Sequence, residues 1–236
     1  MATMGTKFRP ITERFPKCYQ QFLADMRRPR ARVMCRPPAE KLRYDASQHL
    51  VFKVPDARIP TIFLPESQRG LWGGEEAVKG FRLRKKGRGT VPTLWVPYVT
   101  KNVLYSEILD KHFQIETTDH ALRLIDESFG FDNYILKTPV QDLNSQMALD
   151  IRRKMLLAMA RREIYPDNPE RRKEILEKYA EFIIPEEEAE WFGLHIREAT
   201  WKLLEQEQKA KGTPMKAQLR AKFIESLKNP TPPAES

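Results

Sequence analysis

Residues 82–97, RLRKKGRGTVPTLWVP, break any continuous helix through the middle of this chain. Arg82, Arg84, Lys85, Lys86 and Arg88 place five cations within seven residues, interrupted by Gly87 and followed by Gly89. Pro92, Trp95 and Pro97 come next. A densely charged helix face does not carry glycine and proline at this spacing. The glycines let the backbone run close to another backbone. The cations then face whatever that backbone carries, and phosphate is the natural counter-charge. The segment reads as an arm threaded along structured RNA.

The charge balance of the whole chain supports this. It has 236 residues and a formal net charge of +9. That length allows one or two domains. An apolar fraction of 41% permits a core, while 31% charged residues and 18 prolines argue against one compact ball. A basic excess points to nucleic acid or an anionic membrane surface. No apolar run approaches the roughly 20 residues needed to span a bilayer, so no membrane partner is expected. Cys18 and Cys35 form no CxxC pair, which suggests neither a disulfide framework nor a zinc site and fits a reducing compartment. The positive charge is concentrated early: residues 1–45 carry 11 Lys/Arg against 4 Asp/Glu, and residues 69–100 carry 7 against 2.

Two readings of the N-terminus stand together. Arg-rich, acid-poor starts are typical of mitochondrial transit segments. Glu13, Asp25 and the absence of serine from residues 1–45 count against that. The other reading is a basic extension that stays in the mature protein and binds RNA. Within it, RRPRARVMCRPP (27–38) mixes arginine with proline. Arg27, Arg28, Arg30 and Arg32 on an extended chain can fork onto phosphates, and such a segment orders on binding or remains a linker.

Residues 90–118 read as β structure. NVLYSEIL (102–109) and HFQIETT (112–118) flank a break at Asp110-Lys111, with Phe113, Ile115 and Thr117 alternating inward. Residues 119–129 turn helical, with Ala121, Leu122, Ile125 and Phe129 on one face and Gly130 just past the end. From Thr138-Pro139-Val140-Gln141, a capping-box pattern, the chain is helical. Leu143, Met147, Ile151, Met155 and Met159 form an apolar stripe. Tyr165-Pro166 ends that helix and Asn168-Pro169 opens the next, which buries Ile175, Leu176, Tyr179 and Phe182. Pro185 and three glutamates start another, closed by Gly193. Two more follow, over about 195–211 and 214–228, the last with a stripe of Met215, Leu219, Phe223 and Leu227 that needs an apolar partner. The tail NPTPPAES reads as disordered.

Catalytic chemistry is not legible. His49, His112, His120 and His195 are scattered and match no zinc-protease pattern. The acids at 186–190 suit a helix N-terminus better than a cation site. RGLWGGEE (69–76) contains no phosphate-loop motif; it reads as a tight turn that lets backbone approach RNA or protein, with Arg69 a further candidate RNA contact. Trp72 and Trp95 are read first as core groups and second as stacking platforms for bases.

PESQRGLWGGE (65–75), YSEILDK (105–111), YILKTP (134–139) and IPEEEAEWFGL (184–194) closely resemble the animal mitochondrial form of the large-subunit ribosomal protein L twenty-eight family. That resemblance runs from about residue 55 to 195. The resemblance to bacterial members covers about 80–126, where KKGRGTVPTLW is similar to the family's basic segment and carries over Lys85, Lys86, Arg88 and Pro92. Residues 102–118 resemble the family's paired strands and 121–126 its following helix. The cysteine pairs that bind zinc in some bacterial members are absent, so no metal or cofactor is carried over. The resemblance implies a structural, non-catalytic constituent of the mitochondrial large ribosomal subunit, located in the matrix. Its implied partners are rRNA and neighbouring ribosomal proteins, with no small-molecule substrate.

The sequence therefore predicts an α+β fold: a small antiparallel sheet with a packed helix, an extended basic N-terminal arm and a helical C-terminal extension. The expected divisions are a basic extension at 1–54, a core with a basic loop at 55–137, helices at 138–228 and a tail at 229–236. An RNA-processing enzyme or accessory RNA-binding factor is the alternative, but it would need an acid/base or metal cluster. A helical scaffold without RNA would spread its positive charge evenly.

Overall fold

The structure is a computed structural model and describes residues 11–31, 33–36, 40–54, 57–85, 89–212 and 214–228. Arg32, Lys86, Arg88 and the tail 229–236 lie outside the described residues. The fold is mixed α and β, as predicted. The chain divides into two units, Pro16–Leu194 and a second that joins the residues before Pro16 to those after Leu194.

In chain order the helices are α1 (Ile11–Arg14), α2 (Lys17–Met26), α3 (Asp119–Glu127), α4 (Phe131–Lys137), α5 (Val140–Leu143), α6 (Gln146–Arg161), α7 (Pro169–Lys178), α8 (Glu186–Trp191), α9 (Ile196–Lys211) and α10 (Met215–Lys228). The strands are β1 (Cys35–Arg36), β2 (Leu42–Asp45), β3 (Leu50–Lys53), β4 (Ala57–Arg58), β5 (Thr61–Ile62), β6 (Ala77–Leu83), β7 (Thr90–Trp95), β8 (Val99–Ser106) and β9 (Lys111–Thr118). All strand pairs are antiparallel, in small sheets ordered β1-β4, β2-β3, β5-β6-β7 and β8-β9.

The β8-β9 ladder runs from Val99↔Thr118 to Ser106↔Lys111. Leu104, Phe113, Ile115 and Thr117 turn inward while Lys101, Val103, Gln114 and Glu116 face out, the expected period of two. The turn is not at Asp110-Lys111 as the sequence suggested. It occupies Glu107–Asp110, with Asp110 left-handed at φ 50. Ile108 is apolar because it plugs the core, not because it is strand. Its N–H donates to Asp132 Oδ2 at 2.9 Å, and the Leu109 N–H donates to Ser106 Oγ at 3.2 Å.

Asp132 is itself buried, and desolvation raises its pKa above the ordinary carboxylate value of 3.8. Its ionised form therefore withdraws stability as pH rises from near 3.8 through the raised folded value. Asp132→Asn should remove that pH-dependent loss while still accepting from Ile108. Asp132→Ala should cost about 1–3 kcal/mol, because a buried N–H is left without an acceptor. Thermal melts of both variants between pH 4 and 7 check this; equal melts for Asn and Ala would show that the Ile108 bond is immaterial.

The far edge of β9 is closed by residues 70–72. The Leu71 N–H donates to Glu116 O at 2.8 Å, and Leu71 O accepts from the Thr118 N–H at 3.1 Å. Gly70 and Gly73 of RGLWGGEE thus serve approach to this chain's own backbone. A Cβ on Gly70 would meet Glu116 O at 2.4 Å, and one on Gly73 would meet Ala121 Cα at 3.1 Å. Thr118 Oγ1 caps α3 by accepting the Ala121 N–H at 3.3 Å. Trp72 is buried, which makes it core.

Several helix ends differ from the sequence reading. Phe129, not Gly130, takes the left-handed position after α3, at φ 60, and it is 88% exposed rather than buried. Phe129→Gly should therefore stabilise the unit by about 0.5–1 kcal/mol, read as a small rise in melting temperature. Thr138 ends α4 and caps nothing; the long helix α6 starts after Asn144 (φ 38), with Ser145 Oγ accepting the Ala148 N–H at 3.4 Å. It stops at Arg161, four residues before Tyr165-Pro166, because Arg162 turns left-handed at φ 57. Leu143, Ile151, Met155 and Met159 of the predicted stripe are buried. Asn168-Pro169 and Pro185 open α7 and α8 as expected.

Glu107 clasps α7 to the β8-β9 turn. Its carboxylate accepts from Lys178 Nζ at 2.6 Å and from the Tyr179 hydroxyl at 3.2 Å, while the Tyr165 hydroxyl donates to its carbonyl at 2.8 Å. The Lys178 bond holds the Glu107 carboxyl below its ordinary range against the opposing effect of burial. At the N-terminal side, α2 is a helix inside the region read as an arm. Tyr19 and Phe22 are its buried residues. Tyr19 lies 5.9 Å from the Trp191 ring, Phe22 lies 5.2 Å from Phe192, and the Tyr19 hydroxyl donates to Leu194 O at 2.9 Å.

In the other unit, Arg14 pairs through its guanidinium with Glu207 of α9. Ala199 and Leu203 are its buried α9 residues, whereas the α10 stripe Met215, Leu219, Phe223 and Leu227 is exposed along its whole length.

Candidate nucleic-acid interface

The basic run sits at the end of a hairpin. Strands β6 and β7 pair from Val78↔Trp95 to Leu83↔Thr90. Beyond the ladder the Arg84 N–H donates to Gly89 O at 3.1 Å, which closes the hairpin end. Gly89 takes φ 76, a conformation that glycine adopts without strain. Gly80 leaves room for the Trp95 ring, since a Cβ there would lie 2.9 Å from Trp95 Cζ3. Pro92 falls on β7, an edge strand, where a missing N–H costs least.

Side chains directly opposite in an antiparallel pair share a face. One face of the hairpin therefore carries Lys79, Phe81, Leu83, Pro92 and Leu94, all of them exposed. Arg82 stands on the other face beside Val91 and Thr93, with Trp95 further in and half exposed. Trp95, unlike Trp72, is thus available as a stacking platform. Arg82, Arg84 and Lys85 are exposed, and no carboxylate among the described residues pairs with them.

The other predicted contacts are not all free in this way. Arg28 pairs with Asp25 at 3.1 Å. Arg30 pairs with Glu76 at 3.1 Å and lies 5.6 Å above the Phe63 ring, so it is spent within the chain. Arg27 follows α2, its N–H donating to Ala24 O. Arg69 ends the short 3-10 turn Pro65–Arg69 and is exposed. The structure joins Arg82, Arg84 and Lys85 on one hairpin and leaves Arg27, Arg28, Arg30 and Arg69 on other elements.

The acids of α8 have a local use. Glu186 and Glu190 bind Arg161 at 2.6 and 3.5 Å. Arg152 is half-buried. It donates to Thr138 O at 2.8 Å and stacks 4.9 Å over Phe192, and burial lowers its pKa to about 10. It fastens α6 to the end of α4. Among the described residues no three His, Cys, Asp or Glu side chains gather as metal ligands, and no helix is long and apolar enough to cross a membrane.

No family model matches the chain. Individual relatives do. It is 44% identical over 196 residues to the Bos taurus large ribosomal subunit protein bL28m, covering 81% of this chain and 76% of the relative. The Xenopus laevis protein of that name is 41% identical over 196 residues (81% and 77%), and the Drosophila melanogaster one is 35% identical over 218 residues (90% and 72%). A cationic hairpin on a small α+β core is here the property of a large-subunit ribosomal protein. The chain belongs to the bL28m family, the mitochondrial form, and its place is the mitochondrion.

Proposed function

We propose that this protein is a structural constituent of the mitochondrial large ribosomal subunit that holds rRNA through the β6-β7 hairpin. The observation that carries the proposal is the set of exposed, unpaired cations Arg82, Arg84 and Lys85 at the hairpin end. Lys86 and Arg88 extend the set in sequence. Cations left without carboxylates release counterions on meeting phosphate, which supplies affinity without catalysis. Arg69, Arg27 and Arg28, with Arg32 in sequence, are secondary contacts in this reading. Arg30 would have to leave Glu76 to join them.

The helices divide the labour. Those after 138 supply protein contacts, and the exposed α10 stripe meets a neighbouring ribosomal protein. Leu219→Asp with Phe223→Asp should leave the chain folded, since both side chains are already in solvent, and should weaken attachment to that neighbour. The deciding test is sedimentation of the native protein from organelle lysate. In this role it travels with the large subunit and is released from it by high salt. A protein found mostly free would favour the alternative, an RNA-processing enzyme or accessory factor with a basic module.

A further inference from the structure

We propose that the antiparallel ribbon over residues 41–54 is a second RNA-binding element, carrying Lys41, Arg43 and Lys53 to phosphates and Tyr44 and Phe52 to unstacked bases. It rests on the rRNA-binding role above and adds a site to it.

The ribbon is built in two registers. At its base β1 pairs with β4, Cys35↔Arg58 and Arg36↔Ala57. Towards its tip β2 pairs with β3 from Leu42↔Lys53 to Asp45↔Leu50, and the Val54 N–H donates to Lys41 O at 3.0 Å. Leu42, Tyr44, Leu50, Val51 and Phe52 are all exposed, Leu42 by 63% and Val51 by 62%. Opposite partners share a face, so Arg43 stands beside Phe52 on one side and Tyr44 beside Val51 on the other. Among the described residues, neither face is covered by a second layer. Two strands alone are marginal in water, so the missing layer comes from a partner.

Charge identifies the kind of partner. Among the described residues no acid pairs with Lys41, Arg43 or Lys53. The acids of the segment are Glu40 and Asp45. The Asp45 carboxylate is occupied with the tip turn, accepting the Ser47 N–H at 3.0 Å and its hydroxyl at 2.6 Å. An aromatic ring beside an unpaired cation is the arrangement that single-stranded and looped RNA accepts, through stacking on the ring and a charged bond to the phosphate. The Tyr44 hydroxyl lies 2.8 Å from His49 Nδ1, which steadies the ring at the edge of the ribbon. The ribbon also shares features with the β6-β7 hairpin: antiparallel strands, side chains in solvent, cations among aromatic groups.

Ultraviolet crosslinking of intact mitochondrial large subunits, followed by mass spectrometry of nucleotide–peptide adducts, tests this. Adducts at Tyr44 or Phe52 are expected. Adducts at the β6-β7 hairpin but none at the ribbon, with Lys41 and Lys53 crosslinking to protein instead, would overturn the ribbon proposal and leave the hairpin reading intact. Absence of adducts from both would overturn both. A second measurement uses the full chain and transcribed mitochondrial large-subunit rRNA. Arg43→Glu with Lys53→Glu should lower the slope of log affinity against log salt by about 1.5–2 units, the share of two phosphates, while the β6-β7 hairpin keeps the complex formed. An unchanged slope would refute the contact.

Discussion

Replacing Arg84, Lys85, Lys86 and Arg88 with glutamate should remove the protein from the large subunit almost completely while leaving it folded. The described members of this set, Arg84 and Lys85, are exposed, and no helix or sheet contact depends on their side chains. The melting temperature should therefore stay within about a degree of the parent. Binding is another matter. Up to four phosphate contacts would be lost and four repulsions added, so the salt slope should fall by about 3–4 units and affinity by more than about a hundredfold. Recovery of the variant in large-subunit fractions, measured against a co-expressed wild-type copy, reads the effect. Incorporation at the normal level would sink the assignment of the hairpin. Neutralising one cation should lower the slope by only about one unit, so the graded series separates a phosphate contact from a general loss of solubility.

Gly70→Ala is expected to be the most damaging single methyl in the chain. Gly70 is extended, with φ −131, so any residue could adopt its backbone. The obstacle is space: the new Cβ would stand 2.4 Å from Glu116 O, a backbone atom held in the β8-β9 ladder. One of the two segments must move, and the bonds from Leu71 to β9 go with it. A cost of about 3 kcal/mol follows from forced overpacking against backbone, which lowers the melting temperature by roughly 6–12 °C in a chain of this size. Gly89 makes the useful comparison. It has open space around it but φ 76, so Gly89→Ala should cost only about 1 kcal/mol through backbone conformation. If Gly70→Ala melts with the parent, the contact between residues 70–72 and β9 is not as described.

The two glycines also show what could be read from sequence and what could not. The basic run with its glycines is legible as non-helical, and its described cations are exposed. That its ends close into a hairpin depends on Gly80 admitting the Trp95 ring, a cross-strand fit that no local pattern announces. Alternation at Phe113, Ile115 and Thr117 gave β9 correctly, because one face of that strand is buried and the other wet. The same logic failed at Ile108, whose apolar side chain fills the core from a turn. Helical spacing places Phe129 inward, yet the helix ends two residues earlier, at Glu127, and the ring swings out. Thr138-Pro139 has the grammar of a helix start, and α5 does begin at Val140, but it lasts one turn before Asn144 goes left-handed and the long helix starts again after Ser145. Arg30 looked like its neighbours in the sequence, and only the fold brings Glu76 to it. The ribbon at 41–54 escaped notice because its strands are short and neither side is buried, so the usual contrast between an apolar and a polar face is missing.

The docking of α2 against α8 sets the order in which this unit can close. Tyr19 and Leu194 are 175 residues apart along the chain, yet they share a hydrogen bond, and the Tyr19 and Phe22 rings of α2 meet Trp191 and Phe192. At about 5–20 residues per second α2 waits roughly 10–35 s after synthesis before its partners at the end of α8 exist, although α5, which it also touches, is made earlier. Contacts of such long separation form late, since loop closure must come before they can contribute. A chain truncated before Trp191 would leave Tyr19 and Phe22 without Trp191, Phe192 and the Leu194 carbonyl. It should therefore be recognised as unfinished by chaperones and proteases even though its central strands and α6 are complete, which makes the meeting of the two ends an inspection point for a whole chain.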